Sequence, residues 1–258
     1  MQLSNIVNMT NVIISGAKGR MGSLASSLIE KTEGFNLTAR YDPNSTNEKG
    51  LTSVITDLPK SDLIVDFCPA DSILDNCKYW IESYKNIIVG ASGLLEDDRI
   101  NLSNFLDEDQ LLWIVPNFSI GAVLQKKWAI EASKYYQDIS IVERHHTEKH
   151  DTPSGTSYDL AISLENMSSD ISKGSIPVEA EDNILLGWET TIVNDIEIRS
   201  YRNDEYLAEH QVYLSSPYES FLIDHSSSDR EAFTNGIKLA INKYNKLSGL
   251  CVGLELVI

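Results

Sequence analysis

Near its start the chain runs from an apolar stretch, Val12-Ile13-Ile14, into GAKGRMG at 16–22, and then into SLASSLIEK, where Leu24, Leu28 and Ile29 fall at helical spacing. A buried strand that turns through glycines straight into a helix is the opening unit of a parallel sheet covered by helices. Gly16, Gly19 and Gly22 let the backbone approach an anion closely, and the helix N-terminus offers amides and the positive end of its dipole. Arg20 adds a full charge beside them. Lys18 stands where the second glycine of the usual G-x-G-x-x-G would be, so the glycines alone leave a plain βα turn equally open.

The second strand strengthens the dinucleotide reading. Residues 35–41 are extended in pattern and end at Asp42-Pro43, with Asp42 lying 26 positions beyond Gly16. An acidic residue at that strand end binds the adenosine ribose hydroxyls and repels a 2′-phosphate. Proline at 43 offers no arginine to hold such a phosphate, so NADH is expected to be favoured over NADPH, with both admitted. A turn-initiating Asp-Pro is the competing explanation.

Apolar runs at 63–67, 87–90 and 111–115 continue the α/β alternation, separated by helical patterns over 72–84 and up to about Asp107. In an open parallel sheet ligands sit beyond the carboxyl ends of strands, which places Cys68-Pro69, Gly90-Ala91-Ser92 and Pro116-Asn117-Phe118 beside the nicotinamide half of a cofactor. After Ser119 the pattern changes. Residues 121–136 form a helix whose stripe of Leu124, Trp128, Ala132 and Tyr135 is expected to face core or another subunit. From Glu189 to His225 strand follows strand, so a mixed or antiparallel sheet and a second domain are expected. The expected division is a Rossmann-like dinucleotide-binding domain of residues 1–118 and 226–258, with a mixed α/β substrate-binding and oligomerisation domain at 119–225. A last helix spans 230–244, and a surface loop covers 168–175.

Between these halves lies ISIVERHHTEKHDTPSGT, residues 139–156. A β-branched strand delivers Glu143 to a loop holding His145, His146, Lys149, His150 and Asp151. Pro153 stops the loop, and Ser154-Gly155-Thr156 opens a helix. The loop carries three of the chain's five histidines, in a protein whose formal net charge is −17. Such a cluster can bind an anion and transfer a proton near neutral pH. Glu143 is expected to cap the loop or pair with Arg144 or Lys149, and Asp151 to hold the turn before Pro153. His146 and His150 are four apart, but the order is H-x-E-x-H on a loop rather than H-E-x-x-H on a helix, and no metal is expected.

The acidic total argues against nucleic acid and anionic membrane as partners. Cys68, Cys77 and Cys251 are odd in number and lack zinc-like spacing, so they are expected to be free thiols in a reducing compartment. With no signal-peptide pattern and no apolar stretch of roughly 20 residues, a cytoplasmic location is expected.

GAKGRMG at 16–22, VPNFSIG at 115–121, ERHHTEKHDTPSGT at 143–156, FTNG at 233–236 and SGL at 248–250 together resemble the 4-hydroxy-tetrahydrodipicolinate reductase (dihydrodipicolinate reductase) family of diaminopimelate and lysine biosynthesis. The resemblance spans nearly the whole chain, and the middle motif is its most specific part. It implies an oxidoreductase that reduces a cyclic imine dicarboxylate with NADH or NADPH, assembled as a homotetramer through the second domain's sheet. It also implies site residues: His145 as general acid with Lys149 beside it, and His146, Ser154, Gly155 and Thr156 as substrate binders. The implied cofactor contacts are Gly16, Ala17, Lys18, Gly19, Arg20, Met21, Asp42, Gly90, Ala91, Ser92, Val115, Pro116, Asn117 and Phe118. Departures from the family's usual residues fall at Thr152, Ser157, Ala208 and the 225–230 run, and they bear on rate and fine specificity rather than reaction class.

Hydride addition to a conjugated imine leaves negative charge on the nitrogen side, so a proton donor is required, and histidine suits it. Lys149 can meet one carboxylate as a point charge, and the helix after Pro153 can receive the other at its N-terminus. Two other functions compete: a nicotinamide-sensing homologue without turnover, and a semialdehyde dehydrogenase with Cys68 as thiol nucleophile.

Overall fold

A computed structural model describes residues 9–45, 50–91, 93–164 and 187–258. The first half alternates strand and helix: β1 (Thr10–Ser15), α1 (Arg20–Glu30), β2 (Phe35–Tyr41), β3 (Leu51–Thr52), β4 (Leu63–Asp66), α2 (Ile73–Ser83), β5 (Asn86–Val89), α3 (Glu96–Ser103) and β6 (Leu111–Ile114). The second half holds α4 (Ile120–Ser133), β7 (Asp138–His145), α5 (Gly155–Ser163), β8 (Trp188–Val193), β9 (Ile196–Arg202), β10 (Ala208–Ser216), β11 (Glu219–Ser227), α6 (Thr234–Lys243) and β12 (Gly249–Val252). They form two compact units, Met1–Ser119 with Phe233–Ile258, and Ile120–Ala232. The chain leaves the second unit at Ala232, a little after the expected residue 225, since β11 continues to Ser227.

The first unit is built on a parallel sheet in the order β12-β6-β5-β4-β1-β2-β3. Chain order reverses between β4 and β1, the switch point at which open α/β sheets bind dinucleotides. Ile13, Ile64, Ile87, Val89, Leu112 and Ile114 are buried on one side against Trp80 and Tyr84. Each such apolar side chain contributes about 1.5–3 kcal/mol on burial. The C-terminal strand β12 pairs with β6, and Trp113 Nε1 donates to the Gly253 carbonyl at 2.8 Å.

The second unit has a mixed sheet in the order β11-β10-β7-β9-β8, with β7 and β9 parallel and the other pairs antiparallel. Asn194 and Asp195, both at positive φ, make the tight turn between β8 and β9. Ile139, Ile141, Ile198, Val212 and Leu214 form its core with Leu160 of α5 and Ala129 of α4. The expected apolar stripe on α4 is core in part: Ala132 packs against this cluster. Trp128 and Tyr135 are 56% and 75% exposed, and the buried face is Ala122, Gln125, Ala129 and Ser133. Gln125 explains the difference: it donates from Nε2 to the carbonyls of His210 and Ile223, anchoring the helix by a polar group that periodicity discounts. The loop expected at 168–175 lies outside the described residues.

Candidate functional site

In the first unit, Gly16 at φ +70° turns β1 toward α1. A Cβ there would lie 2.7 Å from the Phe67 carbonyl carbon, and one on Gly22 would lie 2.2 Å from the Gly16 oxygen. Both positions therefore require glycine, the first for close approach to the neighbouring strand end and the second for helix packing. No side chain caps the N-terminus of α1, which suits an anion there. Lys18, Gly19 and Arg20 are exposed at this turn, Met21 is half-buried, and Ala17 is buried.

A cavity of about 480 Å³ opens beside the turn, lined by Ala17, Lys18, Ser26, Arg40 and Gly50 among others. Asp42 is buried at its strand end. Its Oδ2 accepts from the Lys18 amide at 3.1 Å and its Oδ1 from the Asn44 amide at 3.0 Å, so the carboxylate also ties the glycine turn to β2. Arg40 pairs with Glu30 at the same cavity. A second cavity of about 210 Å³ lies at the carboxyl ends of β4 and β5, bounded by Met21, Phe67, Cys68, Pro69, Gly90 and Ala91. Phe118 packs on Phe67 at 5.7 Å between ring centres. Val115 is buried and Pro116 exposed, while Asn117 Oδ1 accepts from the Ser119 amide at 2.8 Å. Ser92 lies outside the described residues. These glycines, the uncapped helix and the strand-end cavity fit a dinucleotide.

Cys68 is a buried, neutral thiol in this setting. Burial first and Asp66 second push the thiol up to about 12. The thiolate is the reactive form, so this setting disfavours the thiol-dependent dehydrogenase reading.

In the second unit, β7 runs further than expected and carries Glu143, Arg144 and His145 within the strand rather than on a loop. Alternation therefore puts the side chains of Glu143 and His145 on one face. The ladders set His210 of β10 and Ser200 of β9 opposite Glu143, with Arg202 of β9 and Ala208 of β10 opposite His145. Glu143, His145 and His210 thereby form a buried cluster.

Glu143 is fully buried. Its Oε1 accepts from the Ser154 amide at 3.0 Å and from Arg202 Nη2 at 3.0 Å, and its Oε2 accepts from the Ser157 hydroxyl at 2.9 Å. Burial opposes its ionisation, but the donors from Ser154 and Arg202 outweigh burial and hold the carboxyl well below the usual range. The expected pairing with Arg144 or Lys149 does not occur. Arg144 pairs with Glu209, and Lys149 Nζ lies 2.8 Å from Asp151 Oδ2. His145 Nδ1 is 3.5 Å from Glu143 Oε2. Burial pulls the His145 imidazole down to about 4, with Glu143 opposing that shift and Arg202 and Lys149 adding to it. His210 packs edge-on against His145 at 4.9 Å, and burial lowers its pKa as well.

Ser154 caps α5, accepting from the Ser157 amide. The Gly155 amide donates to Asp151 Oδ2 at 3.3 Å. Much of the α5 N-terminus is thus engaged by the protein's own acceptors, Asp151 standing at the exposed end where Lys149 also points. Thr156 and His146 are half-buried nearby in sequence, and His150 is exposed. The ligand atoms of Glu143, His145 and His210 lie within 4.8 Å of one another, close enough for a metal. However, Glu143 already carries three donors, one of them the Arg202 cation, so the set suits a proton-handling cluster better. His210 and Arg202 were not evident as site residues from their own sequence. The available signal was polar residues on otherwise apolar faces: His210 beside Val212 and Leu214, and Ser200 and Arg202 following Ile196 and Ile198.

Residues 10–118 match the family model for dihydrodipicolinate reductase, N-terminus, and residues 121–258 match the model for its C-terminus. The 4-hydroxy-tetrahydrodipicolinate reductase of Cutibacterium acnes is 32% identical over 250 residues, covering 96% of this chain and 98% of its own length. That of Legionella pneumophila strain Corby is 33% identical over 247 residues, with 95% and 98% covered. Among solved structures, the dipicolinate-bound dihydrodipicolinate reductase from Paenisporosarcina sp. TG-14 shares the fold with a TM-score of 0.76 at 24% identity, covering 97% of this chain and 100% of that one. A probable dehydrogenase from Thermotoga maritima shares it more distantly, at 0.63 and 12% identity, over 95% and 91% of the two chains. With both halves matched in order and relatives aligned end to end, the chain belongs to the dihydrodipicolinate reductase family.

Proposed function

We propose that this protein reduces 4-hydroxy-tetrahydrodipicolinate to tetrahydrodipicolinate in diaminopimelate and lysine biosynthesis. The reaction balances when one hydride and one proton enter and one water leaves. Bound to the first unit, the reduced nicotinamide supplies the hydride. His145 supplies the proton, Lys149 binds one substrate carboxylate, and Thr156 and His146 receive the other at the α5 N-terminus, where the Gly155 amide exchanges Asp151 for it and Ser154 holds the helix end. A dianionic ring beside His145 favours its imidazolium over the neutral form that burial imposes without ligand. The observation that carries this reading is the buried Glu143–His145 pair beside Lys149 and the α5 N-terminus, in a unit whose sequence matches the family's C-terminal model.

NADH is the favoured cofactor: Asp42 closes the ribose end of β2, and Arg40, which lines that cavity together with Lys18, is paired with Glu30. A homotetramer is supported by the edge strand β11, which leaves Phe221 and Leu222 exposed, and sedimentation measures it. Cys68, Cys77 and Cys251 are free, which suits a cytoplasmic setting. No described helix is long and apolar enough to cross a membrane.

The test is oxidation of NADH and of NADPH by the purified protein, with freshly generated cyclic substrate and with dipicolinate as inhibitor. His145→Ala should lower kcat by about 10²-fold or more, the range of general acid catalysis. Lys149→Ala should mainly raise KM. Nucleotide binding without turnover would instead favour the sensing homologue.

A further inference from the structure

Glu143 sits at the centre of the buried cluster, and its surroundings define a direction for every proton near it. The groups hydrogen-bonded to it all donate: the Ser154 amide, the Ser157 hydroxyl and Arg202. The carboxylate is therefore ionised and fixed in place. Its Oε2 lies 3.5 Å from His145 Nδ1, a buried nitrogen with no hydrogen-bond partner of its own. The nearest acceptor for an Nδ1 proton is that carboxylate, which leaves Nε2 of His145 as the nitrogen that gives up a proton.

The hydroxyls extend the same order. Ser157 donates to Glu143, and Ser154 donates to the Ser157 hydroxyl at 3.2 Å. With its hydrogen committed, Ser154 Oγ can only accept from His210 Nε2, which stands 3.4 Å away. His210 thus carries its proton on Nε2 and presents a neutral ring edge to His145. The charged or titratable neighbours of His145 come from every packed element: Glu143 on β7, Arg202 on β9, His210 on β10, and Lys149 and Asp151 on the following loop. His225 on β11 stacks beyond His210 at 6.3 Å. Two cations oppose a proton on His145, and Glu143 is the closest group that favours one.

We propose that Glu143 is the positioning residue for proton transfer: through Nδ1 it fixes the tautomer and orientation of His145 and stabilises the imidazolium, while His210, through Ser154 and Ser157, keeps that carboxylate's hydrogen bonds pointing inward. The proposal rests on His145 being the proton donor.

Glu143→Gln, His145→Asn and the double variant test it together by kcat, KM and the pH profile of kcat. Glu143→Gln should reduce kcat by about 10²-fold, change KM by less than about threefold, and move the limb of the donor to lower pH. In the His145→Asn background the same substitution should have no further effect on kcat. Additive losses would make Glu143 a structural support and overturn the proposal. Should Glu143→Gln fail to fold, nitrogen chemical shifts of labelled histidine in the unmodified protein decide the point. An Nδ1–H tautomer for neutral His145 supports it, and an Nε2–H tautomer overturns it. Full kcat in His145→Asn would sink the donor assignment itself, while the tautomer would still report on the Glu143 contact.

Discussion

Arg202→Met removes the one guanidinium that neutralises the fully buried carboxylate of Glu143. Arg202 reaches Glu143 Oε1 at 3.0 Å and also ties down the site loop, donating to the Lys149 carbonyl at 3.0 Å and the Asp151 carbonyl at 2.6 Å. Breaking a buried pair by deleting one partner costs about 3–5 kcal/mol. The Arg202 side chain is 17% exposed, so water can reach the vacated side of Glu143 and the lower end, about 3 kcal/mol, applies. Met keeps the packing of the stem, which confines the loss to charge and hydrogen bonds. The pH dependence has a definite sign. Glu143 is held below its unfolded pKa, so its contribution is present above about pH 4.3 and fades as pH falls through the lower folded value. Arg202→Met should flatten that acid limb. Urea unfolding followed by Trp188, which stacks on Tyr201 at 4.9 Å, reports on this unit. In a cycle with Glu143→Gln the double variant should recover about 2 kcal/mol relative to the sum of the singles. A loss under about 1 kcal/mol, or additivity within about 0.5 kcal/mol, would refute the claim that this pair organises the site.

Other outcomes follow from the same geometry. Burial holds unliganded His145 near 4, so binding of a dicarboxylate that protonates it should take up about one proton and tighten by up to about tenfold per pH unit lowered between pH 8 and 6. Calorimetry in buffers of different ionisation enthalpy measures this, and zero uptake would contradict it. Because the folded pKa of His145 lies below its unfolded value of about 6.5, the protein should lose stability as pH falls through that window, and His145→Gln should lessen the loss. Glu30→Gln frees Arg40 and should raise kcat/KM for NADPH by about twofold to fivefold, the worth of an exposed pair of up to about 1 kcal/mol. No change would remove Arg40 from cofactor selection. Gly22→Ala places a methyl 2.2 Å from the Gly16 oxygen and should destabilise the first unit by about 2 kcal/mol or more in denaturant unfolding. A neutral effect would mean the turn is not as tightly packed as drawn.

The chain by itself determined the elements that depend on neighbours in sequence. Period-2 and period-3.6 patterns located β2 and α2 nearly to the residue. The glycines at 16 and 22 announced the tight strand-to-helix turn, since no other residue fits those backbones. The motif at 143–156 could be read as one unit because Glu143, His145, Lys149 and the Ser154 cap lie within one short segment. What only the tertiary structure decided were the contacts made across strands. His210 and Arg202 stand 67 and 59 positions from Glu143, and no local pattern links them. The pairing of β10 and β9 with β7 fixes their register and brings both onto one buried face. The same applies to α4, where Trp128 is exposed while Gln125 is buried on two strand carbonyls. Local pattern reports which residues prefer burial, whereas the partner that satisfies a buried charge is chosen by the sheet.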